Sequence, residues 1–219
     1  MVIEGADLAA RRAGLFAVAL SSFLTAFLIS SLNVALPVLQ KEFQLNAILL
    51  GWVPMASLLA SAMFVVPLGR ISDIYGRRRI FMYGMIIFTA SSLLCSLSGS
   101  VTSLIPFMVI QGIGGAMIFG TNVAMLSSVF PPQERGRALG LNVAAVYIGG
   151  SAGPFLGGLL TQGAGWRSIF WVTAALALAT LVVVLWKQRG EWRPARGEAF
   201  DPVGALLYSG LVFYTMDEA

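Results

Sequence analysis

Apolar residues fall into long, nearly unbroken runs separated by short polar stretches. A helix needs about 20 apolar residues to cross the hydrocarbon core of a bilayer. By that measure six runs are complete, at roughly 13–36, 48–68, 80–98, 103–129, 137–161 and 166–186, and a seventh begins near 203. Between them lie Pro37 to Ala47, Gly69 to Arg79, a tight Gly99-Ser100 turn, Pro131 to Gly136, Gln162 to Gly165 and Lys187 to Pro202. No soluble domain fits in connections this short. The pattern predicts an all-α fold, a polytopic transmembrane helix bundle. Its expected divisions are an N-terminal segment at 1–12, a six-helix bundle at 13–186, a linker at 187–202 and the start of a seventh helix at 203–219.

The polar stretches also carry a sign. With the N-terminus in the cytoplasm, the inner segments hold Arg11, Arg12, Arg70, Arg77, Arg78, Arg79, Arg135, Arg137, Lys187, Arg189, Arg193 and Arg196, and the outer ones only Lys41 and Arg167. Cytoplasmic loops of membrane proteins carry the excess of Lys and Arg. Twelve against two predicts that the N-terminus, the Gly69–Arg79 loop and the linker are cytoplasmic.

Composition narrows the function classes. Hydrophobic residues make up 58% of the chain and charged residues 11%, which excludes an ordinary soluble domain and requires lipid as a partner. The net charge of +4 sits in short clusters between apolar runs, the arrangement of membrane topology rather than of a nucleic-acid face. Cys95 is the single cysteine and there is no histidine, so neither a disulfide framework nor a metal or other cofactor site is expected. An intramembrane enzyme is disfavoured for the same reason: no span offers an acid pair, or a serine with a plausible base. No cleavable signal peptide is expected, because Met1 to Arg12 is polar and the apolar run that follows is too long for one.

Two stretches carry motifs. GRISDIYGRRRIF, Gly69 to Phe81, places Gly69, Asp73, Gly76, Arg77 and Arg78 in the spacing G-x(3)-D-x(2)-G-R-R. Gly69 and Gly76 permit sharp turns, and Asp73 can meet a helix N-terminus or pair with Arg77. GLNVAAVYIGGSAGPFLGG, Gly140 to Gly158, puts Gly149, Gly153 and Gly157 on one helical stripe with almost no side-chain relief, and Pro154 removes a backbone donor beside it. In water such a helix would lose about 1 kcal/mol per glycine relative to alanine. In lipid, small residues every fourth position let a second backbone approach closely. That second backbone belongs either to the helix's own bundle or to another one.

The first motif resembles the helix 2–3 loop signature of the major facilitator superfamily, with Ile71 for the usual leucine and Ile74 where an arginine is common. The second resembles that superfamily's antiporter signature, g-x(8)-G-x(3)-G-P-x(2)-G-G, whose fixed positions are filled by Gly140, Gly149, Gly153, Pro154, Gly157 and Gly158. LNVALP at Leu32 to Pro37, GWRSIF at Gly165 to Phe170, and Leu104, Gln111, Gly112, Gly114, Gly115 and Ala116 are similar to the drug:proton antiporter branch with fourteen helices. Three positions depart from that branch, one of them Ser30, which replaces the usual threonine. Leu28 stands where an acidic residue is often found, and Met108 where an arginine associated with proton transfer would fall. Apart from Arg137 and Arg167 at the very starts of two spans, none of the six contains Asp, Glu, Lys, Arg or His.

The resemblance implies the six-helix N-terminal half of a secondary transporter in the plasma membrane, the cell inner membrane. Such a transporter exports small amphipathic or drug-like molecules by alternating access, with a second half opposite. It implies that Gly69, Asp73, Gly76, Arg77 and Arg78 form a gating loop, and it favours the glycine stripe sliding against the opposite half. Asn33, Gln111, Asn122, Asn142 and Tyr147 are the polar residues proposed to line a substrate cavity, although each could equally bond a neighbouring helix. Met216-Asp217-Glu218-Ala219 places two acids where an apolar span should continue, so a truncated frame is expected. A missing C-terminal half or a second copy would then be needed for transport. The alternatives are a half-transporter working as a dimer and a non-transporting membrane protein.

Overall fold

The computed structural model describes residues 2–187 and 201–217, with side chains over 11–186 and 201–215. Most of the expected linker, with Arg189, Arg193 and Arg196, lies outside the described residues, as do Glu218 and Ala219 and the side chains of Lys187, Met216 and Asp217. Seven helices occupy the described residues: α1 (Val2–Phe43), α2 (Ala47–Tyr75), α3 (Arg77–Ser96), α4 (Val101–Val129), α5 (Pro132–Ala164), α6 (Arg167–Lys187) and α7 (Pro202–Asp217). The first six are long and apolar enough to cross a membrane.

The connections are shorter than hydropathy suggests. Helix α1 begins at Val2 and runs past Pro37 to Phe43, α2 passes through Gly69 to Tyr75, and α5 starts at Pro132. Leaving the apolar layer does not end a helix, because Arg, Leu, Gln and Glu are good helix formers and proline is tolerated in the first turn. The chain turns instead where the backbone is forced over. Gln44 has φ 52°, Gly76 φ 120° and Gly165 φ 81°, values that L side chains rarely adopt. Asn46 then restarts α2 by accepting from the Leu49 amide at 2.8 Å. Ser100 restarts α4 by accepting from the Ser103 amide at 3.3 Å. Each such cap contributes about 1 kcal/mol.

Helix α1 packs mainly on α5 and α6, α4 on α2 and α3, and α3 also on α6. The seams of α4 are built from glycine. A Cβ on Gly114 would lie 2.8 Å from the Phe88 amide of α3, and one on Gly120 would lie 3.0 Å from the Val65 carbonyl of α2. A Cβ on Gly112 would run into the Ser57 carbonyl. Close backbone approach of this kind lets dispersion and short polar contacts hold helices where lipid removes the hydrophobic drive. Leu24, Leu32, Phe81, Met85, Leu104, Ile118, Trp166 and Phe170 fill the core between the seams.

Helices α2 and α5 are the least buried of the six. Trp52, Met55 and Val66 on α2, and Tyr147, Ile148 and Phe155 on α5, are exposed. Helix α7 leans on α2, with the Tyr208 hydroxyl donating to the Ala62 carbonyl at 3.1 Å. Two open grooves flank that contact. One, of about 340 Å³, is lined by Ala47, Gly51, Trp52, Met55 and Phe213 among others; the second, of about 220 Å³, lies among Val66, Arg70, Asp201 and Tyr208.

Candidate functional site

The α2–α3 junction carries the first motif. Gly69 is not a turn residue, contrary to the sequence-based expectation. It sits inside α2 facing Gly120 of α4, whose own Cβ would come within 3.2 Å of the Gly69 backbone, whereas a Cβ on Gly69 would make only ordinary contact with the Gly120 carbonyl at 3.7 Å. The turn falls on Gly76 alone, whose φ of 120° and ψ of 123° reverse the chain within one residue. Of the two roles open to Asp73, the structure shows the pair with Arg77. Arg77 Nε donates to Asp73 Oδ1 at 2.8 Å, and no side chain caps the α3 N-terminus. Arg77 Nη1 donates further to the Ala124 carbonyl at 2.9 Å and to Ser128 Oγ at 2.5 Å, both near the C-terminal end of α4. Arg77 thus ties three helix ends together, and its side chain is only 16% exposed. Arg78 is half-buried, with its Nε enclosed and unpartnered.

The glycine stripe faces inward, which corrects the expectation that it slides against an opposite half. Gly149, Gly153 and Gly157 are buried against α1. A Cβ on Gly153 would lie 2.5 Å from Ser30 Cβ, and one on Gly157 2.5 Å from Ser31 Cβ. A Cβ on Gly149 would collide with the Phe23 carbonyl. Two α1 hydroxyls lace the seam: Ser30 donates to the Gly150 carbonyl at 2.7 Å and Ser31 to the Gly153 carbonyl at 3.0 Å. The other fixed positions of the motif rotate away. Cβ positions on Gly140 and Gly150 meet nothing within 4 Å, Pro154 is exposed, and Gly158 only brushes Val34 at 3.8 Å. A four-residue repeat defines one flat face of a helix, and α1 occupies that face.

The five polar residues proposed for a cavity are not brought together. Gln111 and Asn122, both on α4, are fully buried between helices. Gln111 Nε2 donates to Ser92 Oγ of α3 at 2.7 Å, and Asn122 Nδ2 to Ser22 Oγ of α1 at 2.8 Å. Interhelical bonds of this kind contribute about 0.6 kcal/mol each on average in membranes. Asn142 is buried on the α1-facing side of α5, whereas Asn33 is exposed and Tyr147 is 71% exposed. Neither groove beside α2 includes any of the five. Leu28 and Met108, at the positions where the resemblance leads one to look for charge, are buried members of the apolar core.

A second polar cluster escaped the sequence reading. At the far end of the bundle, Glu42 of α1 accepts from Trp166 Nε1 and from Arg167 Nη1, each at 2.7 Å. Arg167 Nη2 also donates to the Ser98 carbonyl at 2.9 Å, and the guanidinium lies 4.3 Å from the centroid of the Trp166 ring. Phe43 and Phe170 meet that indole edge-on at 5.8 and 5.9 Å. The clasp joins α1, the α3–α4 turn and the start of α6. One signal pointed to it: Arg167 is the sole arginine of the outer segments and follows a tryptophan, so an acid was to be sought among the other outer residues.

Residues 18–213 match the Major Facilitator Superfamily. The chain is 37% identical over 177 residues to the multidrug resistance protein Stp of Mycobacterium tuberculosis, covering 80% of this chain and 33% of that protein. It is 33% identical over 202 residues to the tetracenomycin C resistance and export protein of Streptomyces glaucescens, covering 91% and 37%. It is 34% identical over 214 residues to the drug efflux pump JefA of M. tuberculosis, covering 95% and 42%. The chain therefore spans about a third to two fifths of the length of these curated relatives. Among solved structures, a bacterial homolog of the human lysosomal transporter Spinster superposes with a TM-score of 0.73 at 22% identity, covering 89% of this chain and 46% of that one. The peptide transporter POT superposes with a TM-score of 0.74 at 17% identity, covering 93% and 45%. Motif, fold and relatives agree: the chain is a multi-pass membrane protein and belongs to the major facilitator superfamily.

Proposed function

We propose that this chain forms the first six-helix bundle of a secondary efflux transporter for small amphipathic or drug-like molecules, of the drug:proton antiporter branch with fourteen helices. Similarity to proteins named for multidrug and antibiotic export, over most of the chain, carries the reading. Alternating access in this superfamily works by two six-helix halves rocking around a site between them. A second bundle is therefore required, from the remainder of a longer chain or from a second copy. Where export is exchanged for protons, the ionisable group comes from elsewhere than positions 28 and 108, which here are the packed apolar residues Leu28 and Met108.

The test is accumulation of an amphipathic dye in cells lacking their own efflux pumps. The 219-residue chain alone should leave accumulation unchanged. The same chain joined to the second bundle of a relative such as the tetracenomycin C exporter should lower it severalfold. Export by the isolated chain as a monomer, or no export by any joined form that reaches the membrane, would sink the reading.

The proposed orientation places the N-terminus and the Arg77 junction in the cytoplasm, from the twelve-to-two charge bias. Tyr75 and Gly163 are exposed at opposite ends of the bundle. In a Cys95→Ser background, an impermeant thiol reagent outside intact cells should label Gly163→Cys and spare Tyr75→Cys. The reverse pattern would invert the topology.

A further inference from the structure

A proline inside a helix deprives the carbonyl four residues earlier of its backbone donor. Pro67 of α2 frees the Met63 carbonyl in this way, and Pro154 of α5 frees that of Gly150. Both oxygens receive a serine hydroxyl from the neighbouring helix. Ser209 of α7 donates to Met63 at 3.0 Å, and Ser30 of α1 donates to Gly150 at 2.7 Å. Serine and threonine ordinarily bond back along their own helix, as Thr89, Ser91, Thr173 and Thr180 do here. Ser30 and Ser209 instead reach across to the carbonyls that a proline has left without a donor. In the hydrocarbon layer no water is at hand to replace that donor. Of the five prolines inside the described helices, Pro37, Pro54, Pro67, Pro106 and Pro154, these two fall in α2 and α5, the helices with the least support from burial.

We infer that Ser30 and Ser209 are positioning residues of the transport bundle, each standing in for a backbone N–H that a proline removed and thereby fixing the broken helix against its neighbour. Helix α7 is on this account a working part of the bundle. It holds the break of α2 at Pro67, less than two turns before the Asp73–Arg77 pair. The inference rests on membership of the superfamily and on this geometry, not on any particular substrate.

A double-mutant cycle tests it without a transport assay, so its outcome is separable from that of the efflux reading. Unfolding of the whole 219-residue chain is followed in mixed detergent micelles. Ser30→Ala should lower the folded-to-unfolded ratio about fivefold, as expected when a part-buried acceptor loses its donor. In a Pro154→Ala background the alanine N–H returns to the Gly150 carbonyl, and the same Ser30→Ala change should alter the ratio less than about twofold. Ser209→Ala should show the same dependence on Pro67→Ala, while the crossed pairs add independently. If Ser30→Ala yields no folded chain, recovery in the Pro154→Ala background is the expected result and continued failure overturns the inference. Equal losses with and without the proline, or no loss in either background, also overturn it.

Discussion

Replacing Gly153 by leucine is expected to remove the folded bundle from the membrane. The Cβ alone would lie 2.5 Å from Ser30 Cβ, 2.8 Å from Ser30 Oγ and 3.0 Å from the Ser31 amide, with the rest of the side chain still to be placed. Overpacking a well-packed site costs about 1–3 kcal/mol and occasionally more. Ser30 Cβ and the Ser31 amide are fixed by the α1 backbone and Ser30 Oγ is held by its bond to Gly150, so none of the three can swing aside as the far end of a flexible side chain can. Separating α1 from α5 would also stretch the Ser30 and Ser31 bonds, so the loss should exceed the cost of the clash. Gly150→Ala is the matched control, since a Cβ there meets nothing within 4 Å. Membrane abundance and protease resistance of the two variants should diverge, with Gly150→Ala like the wild type and Gly153→Leu largely degraded. A folded Gly153→Leu bundle at normal abundance would mean that the stripe does not face α1.

Trp166→Ala should be the most damaging change at the opposite end. Trp166 is 1% exposed and ranks among the largest fully buried side chains. Truncating such a residue costs about 3–5 kcal/mol, because the surroundings collapse only partly into the space. Its removal also takes a donor from Glu42 and the ring from Phe43, Phe170 and Arg167. Trp166→Phe keeps much of the ring contact but leaves one Glu42 bond unmade, which should cost about 1–1.5 kcal/mol. Arg167→Ala should fall lower still. Its salt bridge to Glu42 is 35% and 38% exposed on the two sides, and such pairs contribute about 0–1 kcal/mol once solvent screening is counted. Thermal unfolding in detergent should therefore rank Arg167→Ala, Trp166→Phe and Trp166→Ala in rising order of damage. A loss for Arg167→Ala matching that for Trp166→Ala would show that charge, not packing, holds the clasp.

These outcomes depend on features of very different legibility. The six spans could be read directly, because a bilayer fixes both the length and the apolarity of whatever crosses it. Helix ends could not, since the Arg, Gln and Glu that mark the limit of the apolar layer are good helix formers and carry α1 and α2 onward to Gln44 and Gly76. The spacing of Gly149, Gly153 and Gly157 announced a flat face, but periodicity does not say which neighbour lies on it. The placement of Asn33 and Tyr147 was hidden for a similar reason. A polar residue in an apolar run is conspicuous, yet its rotation about the helix axis depends on partners far along the chain. Gln111 and Asn122 found theirs in Ser92 and Ser22, serines that carried no signal of their own. Glu42 and Arg167 stand 125 residues apart, and only the scarcity of charge in the outer segments could have linked them.

At Gly149, Gly153 and Gly157 the seam between α1 and α5 is made of backbone and of side chains no larger than a hydroxymethyl group. What holds the bundle together is therefore almost invisible from outside it. The exposed side of the same helix, with Tyr147, Ser151 and Phe155, contributes nothing to that seam. Architecture and surface are thus written in separate letters of one helix. A lineage built on this plan can redraw its outward face, residue by residue, while the join beneath stays the same. Diversification is expected to run through positions such as 147, 151 and 155 and to stop at 149, 153 and 157, where the alphabet has one usable member.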